Sequence, residues 1–299
     1  MICVIDARNL EPGQAEYPSR IRALADAPTV LSVAGTLDDR APTVAIVGTR
    51  EPSEEVLKFT SQLAAACVRA GAVVVSGAAF GVDAAAHRGA LDAGGRTWAV
   101  APCGRDHIAP IQHKPLYRAI VDGGGAVIWP FEHAQPARIW TYFPRNRILV
   151  ALADVVVVTQ ADIPSGALNA ASWARSLGRP LWVVPASPWV RGFRGSWALL
   201  DKGARHLTSI ESFLHDTGLV PKPKESTAQL ELPSSNEVAP RAYSGAETAV
   251  LGKLGTKPIH IDELVVLTAL STSAAVTALL TLSLEHVLVE GPDGFFRRS

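Results

Sequence analysis

The chain has 299 residues, 48% of them hydrophobic, with 28 basic residues balanced by 28 acidic ones. That length suits one large α/β domain and a small second one, and the apolar content is enough for a sizeable core. Its apolar runs are shorter than the roughly 20 residues that cross a bilayer, its start MICVIDARNLEPG lacks the features of a secretory signal, and Cys3, Cys67 and Cys103 are scattered, so the expectation is a cytoplasmic protein with reduced thiols and no disulfide or zinc framework.

Residues 1–42 read as an extension packing on the core that follows. From residue 43 to 219, six short apolar runs recur at intervals: TVAIV from Thr43, AVVVS from Ala72, TWAVA from Thr97, AVIWP from Ala126, DVVVVT from Asp154 and PLWVVP from Pro180. They are continuously apolar rather than alternating, as strands buried on both faces must be. Between them lie helical stretches: SEEVLKFTSQLAAACVRAG with Ser53 as its cap, then VDAAAHRGALDAGG and SGALNAASWARSLG, each ending on glycine. This alternation predicts a Rossmann-like open parallel sheet with helices on both faces. Ligands of such sheets bind beyond the carboxyl ends of the strands, where the glycines fall.

Residues 220–240, rich in Pro, Ser and charge, read as a linker. Residues 241–299 predict helices and then a hairpin around Pro-Asp-Gly, the outline of a small winged helix. Its would-be recognition helix, STSAAVTALLTLSLEH, has no Lys or Arg to grip guanine, which favours an interaction module over a duplex reader.

Charge is unevenly spread. From Arg88 to Arg147 eight Lys/Arg stand against four Asp/Glu, a net of +4; from Ser165 to Ile210 it is six against one, a net of +5; from Glu211 onward it is seven against eleven, a net of −4. A basic body with an acidic tail suggests that the body meets a polyanion.

Four turns could hold one. After the first strand, Gly48 and Thr49 precede Arg50, whose forked donors suit phosphate, although an ordinary turn with a surface arginine has the same pattern. Ser76, Gly77 and Gly81 follow the second strand, where glycine allows close approach of a ligand, and Phe80 between them could stack a base. Asp83 reads as a cap and His87 as a packed helix histidine. Arg145, Asn146 and Arg147 open a helix whose dipole they oppose, which points to an anion partner. Ser165 and Gly166 start another helix, with Lys202 further along. No GxxxxGK[ST] loop, nucleophile set or metal-ligand spacing is present, so no catalytic residue, metal or cofactor is expected.

Taken in order, the motifs resemble DNA-processing protein A, the DprA/Smf family of bacterial recombination mediators. The resemblance runs from Tyr17-Pro18 through VAIVGTR, VVSGAAFGVDAAAHRGAL, AVAPCGRD, RNRILVALADVVVVTQA and SGALNAASWARSLGRPLWVVP to KGA near Gly203, and resumes in the winged helix. It implies a dimeric, non-enzymatic protein that binds single-stranded DNA in a basic pocket, protects incoming DNA in natural transformation and loads the RecA recombinase. Carried over by position, Arg50, Ser76, Gly77, Gly81, Arg145 and Arg147 would touch phosphates. The chain departs from the family pattern at Phe80, where an arginine is usual, and in Ser165–Ala170, where a threonine is missing.

Two other readings remain open at this point. A nucleotide phosphoribohydrolase-like enzyme would carry a glutamate in the stretch that here reads IPSGALNAASWARS, which has none. A nucleotide sensor or carrier on the same fold would use the same turns.

Overall fold

The computed structural model describes residues 5–187, 189–219, 243–255, 258–284, 287–290 and 295–298. The six apolar runs become the strands β3 (Thr43–Val47), β4 (Val73–Ser76), β5 (Thr97–Val100), β6 (Ala126–Trp129), β7 (Val155–Val158) and β8 (Leu181–Val183). Three further strands complete the sheet: β1 (Arg8–Leu10) and β2 (Leu31–Gly35) before them, β9 (Arg205–His206) after. The order across the sheet is β1-β2-β6-β5-β4-β3-β7-β8-β9. From β6 to β9 all neighbours are parallel, whereas β2 runs antiparallel to β6 and β1 antiparallel to β2. The extension over residues 1–42 therefore does more than pack on the core: it lengthens the sheet by two strands. Its helix, α1 (Ser19–Arg22), is short.

The strands are apolar on both sides because both sides are covered. Val44 and Ile46 of β3 meet one layer and Ala45 and Val47 the other; β7 divides in the same way. On one face lie α2 (Glu54–Arg69), α3 (Val82–Asp92), α4 (Lys114–Asp122) and α8 (Ile210–Asp216); on the other lie α1, α5 (Tyr142–Leu152), α6 (Gly166–Ser176) and α7 (Arg194–Asp201). Local signals set the helix ends. Ser53 caps α2 by accepting the Val56 amide, with Glu54 and Glu55 in the first turn, and Gly71 leaves it at φ +89°.

Helices α2 and α3 pack closely through Gly89, where a Cβ would lie 2.6 Å from the Ser61 Cα. On α3, His87 Nδ1 is 2.7 Å from Thr97 Oγ1, whose proton goes to the Val74 carbonyl at 2.7 Å. The imidazole therefore donates through Nδ1–H, and its Nε2 lone pair is buried without a partner. Burial, with His113 and Arg145 nearby, pushes its pKa down to about 3.

The second unit has its own core of Val250, Leu254, Leu264, Ala278, Leu279, Leu282, Leu288 and Phe296. It contains α9 (Gly245–Lys253), β10 (Ile259–His260), α10 (Ile261–Thr268), α11 (Thr272–Leu284), β11 (Leu288–Glu290) and β12 (Phe295–Arg298), with the sheet ordered β10-β12-β11. Ser271 Oγ caps α11 by accepting the Ala274 amide. The Thr277 and Thr281 hydroxyls of α11 donate back to the carbonyls of Ser273 and Thr277. The linker at 220–240 and the Pro-Asp-Gly turn lie outside the described residues. Among the described residues no single helix is long and apolar enough to cross a membrane.

These contacts set two expectations for stability. In an open helix, Gly→Ala stabilises by roughly 0.5–1 kcal/mol, and at Gly252 of α9 nothing lies within 4 Å of the place a Cβ would take. Gly252→Ala should therefore raise the melting temperature of its unit. Gly89→Ala should lower that of the large unit, since the added methyl meets backbone, at a cost of about 1–3 kcal/mol; calorimetry checks both. The second concerns pH. Unfolded histidine takes up a proton below about pH 6.5, whereas folded His87 does so only near 3. Stability is thus lost as pH falls through that window, by up to about 1.4 kcal/mol per pH unit from this group. Melting curves from pH 7.5 to 5 should show a steeper decline for the wild type than for His87→Gln.

Candidate nucleic-acid interface

The chain runs outward from β3 to β4, β5 and β6, then returns under the sheet through α5 to place β7 on the other side of β3. The carboxyl ends of β3 and β7 thus flank the point where the strand order reverses, the position where open α/β sheets leave a crevice. A cleft of about 290 Å³ opens there. Gly48, Thr49, Arg50 and Glu51 line it from the loop after β3, Ala79 from the β4–α3 turn, Asp83 from the start of α3, Tyr142, Arg145 and Asn146 from α5, Asp162 and Ser165 from the β7–α6 turn, and Gly166 from the start of α6.

Its floor is built around Arg145. That side chain is buried, and its guanidinium donates to the Gly77 carbonyl and, at 2.6 Å, to the Val100 carbonyl. These carbonyls stand at the ends of β4 and β5, where the parallel ladder stops and acceptors lose their partners. Asp83, also buried, accepts the Ala79 amide at 3.2 Å. Burial raises its pKa, and the adjacent Arg145 guanidinium opposes that rise.

The glycines prove to serve this packing. A Cβ on Gly77 would sit 2.6 Å from Asp83 Oδ2, one on Gly48 2.6 Å from Val82 Cγ2, and one on Gly81 2.5 Å from the Thr49 carbonyl. Gly81 also adopts φ +75°. Their room is taken by neighbouring elements, which at Gly77 and Gly81 corrects the expectation that it is kept for a ligand. Ala78 takes the left-handed conformation with a side chain, φ 56°, and its carbonyl accepts from His113 Nδ1 at 2.8 Å. The Ser76 hydroxyl is likewise turned inward, donating to the Ile46 carbonyl at 2.7 Å. The Thr49 amide is committed to the Gln160 carbonyl at 2.8 Å, and Thr49 Oγ1 accepts the Glu51 amide.

Arg50 is different. Exposed at the rim, its guanidinium lies 4.6 Å from the centroid of the Tyr142 ring, against which Arg145 also rests at 5.6 Å. Opposite, the Ser165 hydroxyl accepts the Ala167 amide at the start of α6, and the space beside Gly166 is open. Asn146 donates to the Gly166 carbonyl and to Asn169 Oδ1, each at 3.2 Å. The cleft is electrically mixed: Asp162 is held by Arg194 at 2.7 Å, Asp83 neighbours Arg145, and Glu51 stands beside Arg50.

The remaining candidates part company. Phe80 is 45% exposed and makes an edge-on contact with His113 at 4.8 Å; with Pro102, Pro110 and Tyr142 it borders a small annexe of about 70 Å³. Arg147 points to the other side of α5, paired with Asp26 and 5.0 Å from the Trp173 ring centroid. Lys202 follows α7, where its carbonyl accepts from Arg175, and does not line the cleft. Tyr142, Glu51 and Asp162 line the cleft although sequence reasoning did not single them out. Tyr142 had a signal: an aromatic residue just ahead of Arg-Asn-Arg at a helix start.

Comparison with known proteins bears on what such a cleft serves. Residues 8–218 match the family described as DNA recombination-mediator protein A, and residues 234–294 match the DprA winged helix domain. The protein Smf of Synechocystis is 28% identical over 97% of this chain and 79% of its own. DNA processing protein A from Helicobacter pylori, whose structure gives insight into a unique single-stranded DNA binding mode, superimposes with a TM-score of 0.64 at 32% identity, over 71% of this chain and 95% of that one. The Streptococcus pneumoniae DprA structure gives 0.65 at 30% identity, over 71% and 74%. A family match that spans the whole sheet, with a second over the winged helix, means that this chain belongs to the DNA recombination-mediator protein A (DprA/Smf) family.

Proposed function

We propose that this protein is a recombination mediator that grips single-stranded DNA at the β3/β7 cleft, shields it and passes it to the RecA recombinase, acting as a cytoplasmic homodimer. The observation that carries this reading is the exposed Arg50 guanidinium, laid on Tyr142 beside the open start of α6. A phosphate seated there meets a forked cation on one side and the positive end of a helix dipole on the other. The exposed Phe80 ring beside it offers a flat face that any base can use, which suits binding without sequence preference. Arg145 acts as a positioning group: it fixes the β4 and β5 carbonyls and so the loops that form the walls.

A small-ligand reading has one observation in its favour, the cleft volume, which is of the order of a single nucleotide. A hydrolase reading has less: among the described residues, α6 lines the cleft with Gly166, Ala167 and Ala170 and contributes no carboxylate.

Fluorescence anisotropy of a labelled single strand across a salt series tests the proposal. Wild type should prefer single strand to duplex, and Arg50→Ala should weaken binding about tenfold while lowering the salt slope by roughly 0.7, one phosphate's share. Phe80→Arg should tighten binding and steepen the slope. Arg145→Ala should act on folding as well, costing about 3–5 kcal/mol because Asp83 and two carbonyls lose a buried partner, whereas Arg50→Ala should leave the melting temperature unchanged. Absence of salt-sensitive strand binding, with protection by a free mononucleotide, would favour the small-ligand reading.

A further inference from the structure

The second unit has the outline of a duplex reader without its chemistry. The exposed side chains of α11 are Thr272, Ser273, Thr277 and Leu280, none of them charged. The Thr277 hydroxyl is spent on the Ser273 carbonyl of its own helix. Nothing on that helix grips a base pair.

The small sheet is different. β12 lies between β10 and β11, and its residues alternate in direction. Phe296 is turned into the core, where its partner on β10, Ile259, also packs. The opposite face therefore carries Phe295, with His260 across from it on β10, and Arg297 two residues further on. Phe295 is 40% exposed, and the imidazole of His260 meets its ring edge-on, with 5.1 Å between centroids. His260 Nδ1 accepts the Asp262 amide at 3.3 Å, which caps α10 and fixes the imidazole. Two rings are thus held together on the outer face of a sheet.

Charge is graded along this face. Arg297 lies about 6–7 Å further along β12 than Phe295, and Arg298 follows it. Both are exposed, and neither pairs with a carboxylate among the described residues. They are two of the five Lys and Arg residues after residue 240, so the positive charge of this unit gathers at one end of one strand. A carboxylate, Asp262, stands at the other end, where α10 begins, 3.4 Å from His260 Nδ1. A single-stranded nucleic acid matches this layout in one direction, with a base on the rings and its phosphates toward the arginines, clear of Asp262. A duplex keeps its ring faces inside its own stack, and an acidic peptide would use the arginines and leave the rings without partners.

We infer that the outer face of the β10-β12-β11 sheet is a second single-strand site, where a base stacks on Phe295 beside His260 and the flanking phosphates meet Arg297 and Arg298. The inference rests on the reading above that the polymer is single-stranded DNA. It adds a base-directed grip on the second unit to the phosphate-directed grip of the cleft. Aromatic stacking gives affinity without sequence preference, and the arginines make it sensitive to salt.

The experiment uses the full chain and a thymidine oligomer long enough for more than one site, about thirty nucleotides, carrying 5-iodouracil. After irradiation, cross-linked peptides are mapped by mass spectrometry, a readout on the wild type that needs no variant to fold. In parallel, Phe295→Ala, Phe295→Trp and Arg297→Gln are titrated in the wild-type and Arg50→Ala chains, with the oligomer and with an abasic strand of equal length. Phe295→Ala leaves Phe296 in the core, and melting curves check that each variant stays folded. The expected result is cross-linking at Phe295 or His260, with an approximately tenfold loss on Phe295→Ala in the Arg50→Ala chain for the oligomer and none for the abasic strand. Phe295→Trp should restore binding, and Arg297→Gln should lower the salt slope by roughly 0.7. Absence of cross-links from β10 and β12, or equal losses for both strands, would overturn the inference. Cross-links at the β3/β7 cleft alone would leave the cleft reading in place and point to a protein as the occupant of the sheet. Cross-links at Phe295, with Arg50→Ala binding as tightly as the wild type, would sustain the platform and remove the cleft reading. Failure of the wild type to bind the oligomer at low salt would remove both.

Discussion

The site depends on one buried cation. Parallel strands end with carbonyl groups that the ladder no longer satisfies, and at the end of β4 and β5 the Arg145 guanidinium takes two of them. A cation placed there needs a counter-charge in the same low-dielectric space, which Asp83 supplies. The pair in turn leaves no room for a side chain at residue 77. Ala78 then follows in a left-handed turn whose carbonyl is tied to His113. The loops at the reversal point are thereby over-determined, and the cleft is a preformed gap between fixed walls.

Against this rigid floor the chemistry exposed to solvent is sparse. Of the two arginines in the Arg-Asn-Arg run, one is used up inside and the other faces away, because residues two apart on a helix project about 200° from each other. Net positive charge along a stretch of sequence thus overstates the charge a ligand meets. Three of the arginines that make the body basic are paired with carboxylates: Arg96 with Asp38, Arg147 with Asp26 and Arg194 with Asp162.

Much of the fold was legible because it follows from burial. Runs such as Val155–Val158 have to be covered on both sides, and glycines such as Gly71 and Gly178 mark helix ends by their conformation. The short strands β1, β2 and β9 were not separated from their surroundings, since three to five residues at a sheet margin carry little pattern, and β9 is two exposed residues paired only through its backbone. At the site, Arg50, Thr49 and Ser165–Gly166 fall where the turns suggested. The direction in which a side chain points was beyond reach: whether Ser76 faces a ligand or the Ile46 carbonyl is decided by a neighbouring strand, and whether a glycine makes way for a phosphate or for Arg145 by a residue 68 positions away.

The balance of charge in the cleft has a kinetic consequence. With Asp83 beside Arg145 and Glu51 beside Arg50, a cleft that grips a strand as proposed would give it a modest hold, so tight binding would have to come from several such holds acting along one polymer. Holds of that kind open one at a time. A competing protein that advances along the strand can displace each in turn without ever meeting the whole binding energy as a single barrier, and a polymer protected in this way is also easily surrendered.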